Sequence, residues 1–93
     1  MIRSFRDKRT AALYAGKVIK GTPPDLARRA LMKLMMIDEA ERLGDLLVPP
    51  GNQLEALRKD RAGQHSIRVS GKWRICFRWR DGGAEDVEFC DYH

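Results

Sequence analysis

Asp91, Tyr92 and His93 follow one another directly, and each can carry, donate or accept a proton. They come straight after the core-like residues Val87, Phe89 and Cys90, which should anchor them to a sheet. A carboxylate next to an imidazole favours the imidazolium, so the α-carboxylate of His93 suits that ring to give up a proton. A second set is basic. Arg68, Arg74 and Arg78 share one parity of two alternating segments, and Arg58 and Lys59 lie just before them. An arginine fork matches phosphate oxygens as scattered charge does not. Together these residue types suit metal-free scission of RNA. A base takes the 2′-hydroxyl proton, cations stabilise the charged transition state, and an acid protonates the departing 5′-oxygen. The same arginines would also serve as a solvated face paired to Asp81, Glu85 or Glu88. Strand parity leaves the point open, because Asp91 and His93 share the parity of Phe89.

Other chemistries find less support. Cys76 and Cys90 with the terminal residues lack the paired ligand spacing of a zinc site, so no metal or other cofactor is expected. Gly82-Gly83 sits in a hairpin turn and not before a helix, so it makes no phosphate loop. No serine–histidine or cysteine–histidine spacing suggests a hydrolase triad. His65 reads as a half-exposed sheet histidine, and the Met32, Met35, Met36 cluster as core filler. A net charge of +5 favours a polyanionic partner over a neutral one. No membrane span and no signal peptide are legible, so a cytoplasmic location with the cysteines as free thiols is expected.

The elements that must position these residues follow from periodicity. Ninety-three residues suit a single domain spanning 1–93. Residues 1–5 could be a short edge strand, and 7–14 a short helix capped by Asp7. A second helix starts near Pro23-Pro24, capped by Thr22 or Asp25. It buries Leu26, Ala30, Leu34 and Ile37, turns Arg28, Arg29 and Lys33 outward, and runs to Leu43 before Gly44. Pro49-Pro50-Gly51-Asn52 is turn chemistry. Strands are then expected over 54–58, 64–70, 73–80 and 84–92, with hairpin turns at Gly71-Lys72 and Asp81-Gly82-Gly83. Trp73, Ile75, Phe77 and Trp79 share one face of the third; Arg74, Cys76, Arg78 and Arg80 share the other. The fold class is therefore α+β, with N-terminal helices on one face of a mostly antiparallel sheet of four to five strands.

Several fragments, in order and at fitting spacings, resemble the HigB toxins of the RelE/ParE superfamily. They are Met1-Ile2-Arg3-Ser4-Phe5, Pro49-Pro50-Gly51-Asn52, Asp60-Arg61-Ala62-Gly63-Gln64, Ser66-Ile67-Arg68, Trp73-Arg74-Ile75 and Asp91-Tyr92-His93. The resemblance implies a RelE-like fold of the microbial RNase type and ribosome-dependent cleavage of mRNA in the A site. It also implies a HigA-type helix-turn-helix antitoxin, through which the pair represses its operator DNA. By motif match, Asp91, Tyr92 and His93 take the family's catalytic C-terminal positions and Arg74 stabilises phosphate. Arg58 stands where related toxins carry a catalytic lysine. Glu55 stands three residues before it, where some members place a histidine, and a carboxylate there could act as the base. Arg58, Lys59, Arg61, Arg68 and Arg78 are the expected RNA- and ribosome-binding set. Two alternatives fit the charge: a ParE-like inhibitor of DNA gyrase, and a non-enzymatic basic module. The gyrase binder needs no terminal acid–base set, and the basic module leaves that set idle.

Overall fold

The computed structural model describes residues 1–91. Helix α1 (Lys8–Tyr14) starts where Asp7 Oδ1 accepts the Thr10 N–H at 2.8 Å. Helix α2 (Pro24–Glu39) has Pro23 at its N-cap and no side-chain cap bond, so neither Thr22 nor Asp25 acts as the expected cap. Proline in the first turn needs none for its own missing N–H. The helix also stops before Leu43. At Ala40 the backbone turns extended, and Asp45 Oδ2 accepts the N–H groups of Glu41 and Arg42 at 3.0 and 3.1 Å. Those bonds start a separate 3₁₀ turn over Leu43–Leu47. A local carboxylate acceptor outcompetes continued helix, as short polar side chains do.

Strands β1 (Glu55–Ala56), β2 (His65–Ser70), β3 (Trp73–Arg80) and β4 (Gly83–Asp91) form one antiparallel meander in that order. The strand expected over 54–58 shrinks to two residues, because Lys59–Arg61 closes into another 3₁₀ turn. Residues 1–5 make no regular strand. Ile2 and Phe5 form isolated parallel bridges to Ala84 and Val87 along the outer edge of β4. That edge is blunted further by α1, whose Thr10 hydroxyl accepts the Phe89 N–H at 2.9 Å.

One face of the sheet carries Ile67, Val69, Ile75, Phe77, Val87 and Phe89, all buried beneath Leu13, Ala30, Leu34 and Ile37 of the helices. Trp73 stacks on Phe89 with ring centroids 4.8 Å apart. Met36 packs against this core, whereas Met32 and Met35 are exposed, so the methionine cluster is only in part the filler expected. The N-terminal segment is tied down by Asp38. Its carboxylate accepts the Ile2 N–H at 2.7 Å and the Tyr14 hydroxyl at 2.8 Å. These two bonds hold the Asp38 carboxyl below its usual range, and the same bond raises the Tyr14 phenol. Among the described residues, no helix is long and apolar enough to cross a membrane.

Candidate active site

The strand register sets what stands on the face away from the helices. Glu55 pairs with Ser66, Ser66 with Cys76, Arg74 with Cys90, and Cys76 with Glu88. One parity therefore gathers Glu55, Ser66, Arg74, Cys76, Glu88 and Cys90 on a single surface. Arg74 is its centre, and it is not open to solvent as the alternation suggested. It is 9% exposed. Its Nε donates to Ser66 Oγ at 2.7 Å, and its Nη2 to the Gln53 carbonyl at 2.6 Å. Glu55 Oε1 lies 3.7 Å from Nε. Nη1 has no hydrogen-bond acceptor among the described residues. The guanidinium is thus locked on two sides with one nitrogen left for a ligand. A cation fixed in this way needs little rearrangement when charge develops beside it.

The other basic residues divide into two kinds. Arg61 donates to Gln64 Oε1 and to Glu88 Oε1, both at 3.1 Å, pinning the 3₁₀ turn at 59–61 against β4. Arg78 lies 3.9 Å from Asp86 and against the α-carbon of Gly63, where an added methyl would come within 2.9 Å of Nη1. Its register partner is Glu85 because the ladder slips between Cys76 and Arg78. Arg58 and Lys59 are exposed on the turn leading away from β1. Neither has an ion-pair partner among the described residues.

Arg68 opposes Arg74 in register, as the alternation predicts, and it also lines a cavity with Arg29 and Lys33 of α2. The short β1 covers the β2 edge only at His65 and Ser66, and the ladder shifts between Arg68 and Ser70. Asp91 ends β4 opposite Trp73 with Lys72 Nζ at 3.0 Å. It directly follows Cys90, the cross-strand partner of Arg74. Tyr92 and His93 lie outside the described residues, so the expected proton donors are not part of this geometry.

Beneath Arg61, Cys76 and Cys90 bring their sulfurs to 3.2 Å as free thiols. The bond to Cys90 and burial push the Cys76 thiol up, and the same bond lowers Cys90. No cluster of three or more metal-ligating side chains occurs among the described residues. The residues that sequence reasoning missed are Ser66 and Gln53, which hold Arg74. Ser66 was detectable, since it shares the parity of Arg74 on the neighbouring strand. Gln53 offers only a backbone carbonyl, and no side-chain pattern announces that.

Residues 3–93 match the model of the HigB-like family, described as the RelE-like toxin of the type II toxin–antitoxin system HigB. Over 93 residues the chain is 36% identical to "Endoribonuclease HigB" of Proteus vulgaris, covering all of both chains. It is 35% identical over 85 residues to "Toxin HigB-1" of Vibrio cholerae serotype O1, covering 90% of each. Among solved structures, a YoeB–YefM complex from Staphylococcus aureus contains a chain of similar fold. The TM-score is 0.63 at 16% identity, over 100% of this chain and 98% of that one.

Proposed function

The chain belongs to the HigB-like family, the RelE-like toxins of type II toxin–antitoxin systems, and we propose that it is an endoribonuclease that cuts mRNA in the ribosomal A site. The observation that carries this reading is Arg74: a guanidinium fixed by Ser66 and Gln53, beside the carboxylate of Glu55, with no acceptor on Nη1 among the described residues. The full-length likeness to "Endoribonuclease HigB" supports the same reaction class.

RNA supplies its own nucleophile, so the chain need supply only proton transfer and charge stabilisation, and no metal is required. Glu55 is half exposed and stands beside Arg74, fit to take the 2′-hydroxyl proton. The 2′-oxygen attacks phosphorus, Arg74 and Arg58 stabilise the added negative charge, and the 5′-oxygen leaves with a proton. The products are a 2′,3′-cyclic phosphate and a 5′-hydroxyl. Asp91, Tyr92 and His93 are assigned the donor end of this reaction, with His93 as the acid. Lys59, Arg61 and Arg78 join Arg58 in holding RNA and ribosome, Arg61 and Arg78 from within their own ion pairs.

Cleavage of translated mRNA stops protein synthesis, which makes the cytoplasm the place of action. The controlling partner is a HigA-type helix-turn-helix antitoxin, through which the complex meets operator DNA. The YoeB–YefM neighbour, itself a toxin–antitoxin complex, supports such an assembly. The test is to incubate purified protein with a defined mRNA, with and without translating ribosomes, and to map the new ends. Cuts confined to the ribosome-bound message, leaving 5′-hydroxyl ends, are expected. Growth arrest without any cut, accompanied by a DNA-damage response, would transfer the protein to the gyrase-inhibitor class.

A further inference from the structure

Beyond the outer face, α2 and the free end of β2 enclose a cavity of about 290 Å³. That is near the lower end of small-ligand pockets, roughly 300–1,000 Å³, room for a phosphate with its sugar. Arg29, Lys33 and Arg68 line it together with Gly51 and the apolar Met32, Met36 and Val69. We propose that Arg29, Lys33 and Arg68 form a second phosphate subsite, one that grips the RNA backbone at a phosphodiester other than the scissile one.

Three cations share this space without neutralisation. No carboxylate among the described residues makes an ion pair with any of them. Lys33 is half-buried, and its one hydrogen bond goes to a neutral acceptor, Asn52 Oδ1, at 2.6 Å. Burial and the nearby Arg68 charge lower the pKa of that ammonium. Like charges held together in a concave site are unfavourable until an anion enters, and planar guanidinium forks favour phosphate.

RNA is favoured over an acidic peptide by where the cavity lies. Asn52 is fully buried, receives Lys33, and also donates to the Leu46 carbonyl at 3.2 Å. The next residue, Gln53, offers the carbonyl that holds Arg74. Adjacent residues of one turn therefore contact a cavity cation and the candidate active-site arginine, and Arg68 of the cavity is the cross-strand partner of Arg74. A strand with its scissile phosphate at Arg74 can pass over that turn and set a flanking phosphate among the three cations. The ligand identity rests on the ribonuclease reading; the existence of an anion site does not.

The test uses the full chain and a non-cleavable 2′-O-methyl RNA 12-mer, followed by fluorescence anisotropy over a sodium chloride series. Each phosphate contact on a single strand contributes a slope of about −0.7 to log K against log salt. Arg29→Gln and Arg68→Gln should each flatten the slope by about that amount and weaken binding roughly three- to tenfold. Exposed Lys20→Gln, equal in charge change and outside the cavity, should leave the slope as in the wild type. Arg29 is exposed, so its replacement tests the site without disturbing the core. Slopes unchanged in both arginine variants, or no measurable RNA binding by the wild type, would overturn the subsite. So would an octaglutamate peptide whose binding depends on Arg29 and Arg68 when RNA binding does not. Cavity-dependent RNA binding by a protein that never cuts translated mRNA would keep the subsite and remove the ribonuclease reading. Normal cleavage with slopes insensitive to the variants would do the reverse.

Discussion

On the face covered by the helices, Phe77, Phe89, Ile75 and Ile67 are each completely buried and touch other apolar groups. On the opposite face Arg74 and Ser66 are also buried, but there the side chains are held by hydrogen bonds and by the ion pair of Arg74 with Glu55. Dispersion and area burial are forgiving of side-chain identity when volume is kept. A buried polar network is not, since one missing partner leaves another group unsatisfied. The helix face therefore holds the molecule together, and the outer face fixes one cation at the cost of tolerance to change. The contrast can be attacked from both sides.

The largest effect belongs to the apolar face. Phe77→Ala should cost about 3–5 kcal/mol, close to the whole stability of a small domain, as read by urea unfolding. A loss near 1 kcal/mol would mean that this core is loosely packed.

Next is the tie between the N-terminal segment and α2. Asp38→Ala removes a charged acceptor of two hydrogen bonds, worth about 2–3 kcal/mol at neutral pH. The sign in acid follows from the lowered Asp38 carboxyl. Above the ordinary carboxylate value near ~4 the stabilisation is complete. As the pH falls the unfolded chain takes the proton first, so the stabilisation drains away and is gone below the folded-state value. In Asp38→Ala this acid-dependent part of the stability curve should flatten; a limb as steep as in the wild type would assign it to other carboxylates.

Smaller effects probe the rim of the outer face. Gly63 has φ +91° and sits against the Arg78 guanidinium. Gly63→Ala should cost about 1–2 kcal/mol, mostly as left-handed backbone strain, because the flexible Arg78 can move aside. Equal thermal melts for the two proteins would show that the turn relaxes. Glu55→Gln should change stability by less than ~0.5 kcal/mol, since exposed ion pairs contribute little. It should nonetheless slow cleavage about tenfold or more if Glu55 is the base. A rate unaltered by this change would remove Glu55 from proton transfer.

Much of the helix-covered face was legible in the sequence. The alternation from Trp73 to Trp79 and the helical spacing of Ala30, Leu34 and Ile37 are consequences of burial, and burial is what periodicity records. The end of α2 was not, because Gly44 looks like a C-terminal cap while Asp45, one residue later, captures the Glu41 and Arg42 N–H groups first. On the outer face, parity identified Arg74 but not its burial. Alternation says which way a side chain points and nothing about what covers it. Parity likewise placed Arg68 opposite Arg74 but did not announce the cavity it lines with α2, because a two-residue β1 leaves that edge uncovered and strand length is the least legible feature of a sequence. Arg29 and Lys33 read as an ordinary solvated helix face until the fold brought Arg68 to them.

The central claim is that the fixed guanidinium on the outer face stabilises the cleaving phosphate. It is tested most directly by single-turnover mRNA cleavage on translating ribosomes, comparing wild type with Arg74→Ala and Arg74→Lys, each shown to be folded by circular dichroism. Both variants should lose about 10²-fold or more in rate, the scale of removing one charge-stabilising donor, and lysine should not rescue because a point-like ammonium does not span the separate positions that Nε, Nη2 and Nη1 of the planar fork occupy. A folded Arg74→Ala protein that cuts at the wild-type rate would contradict the account.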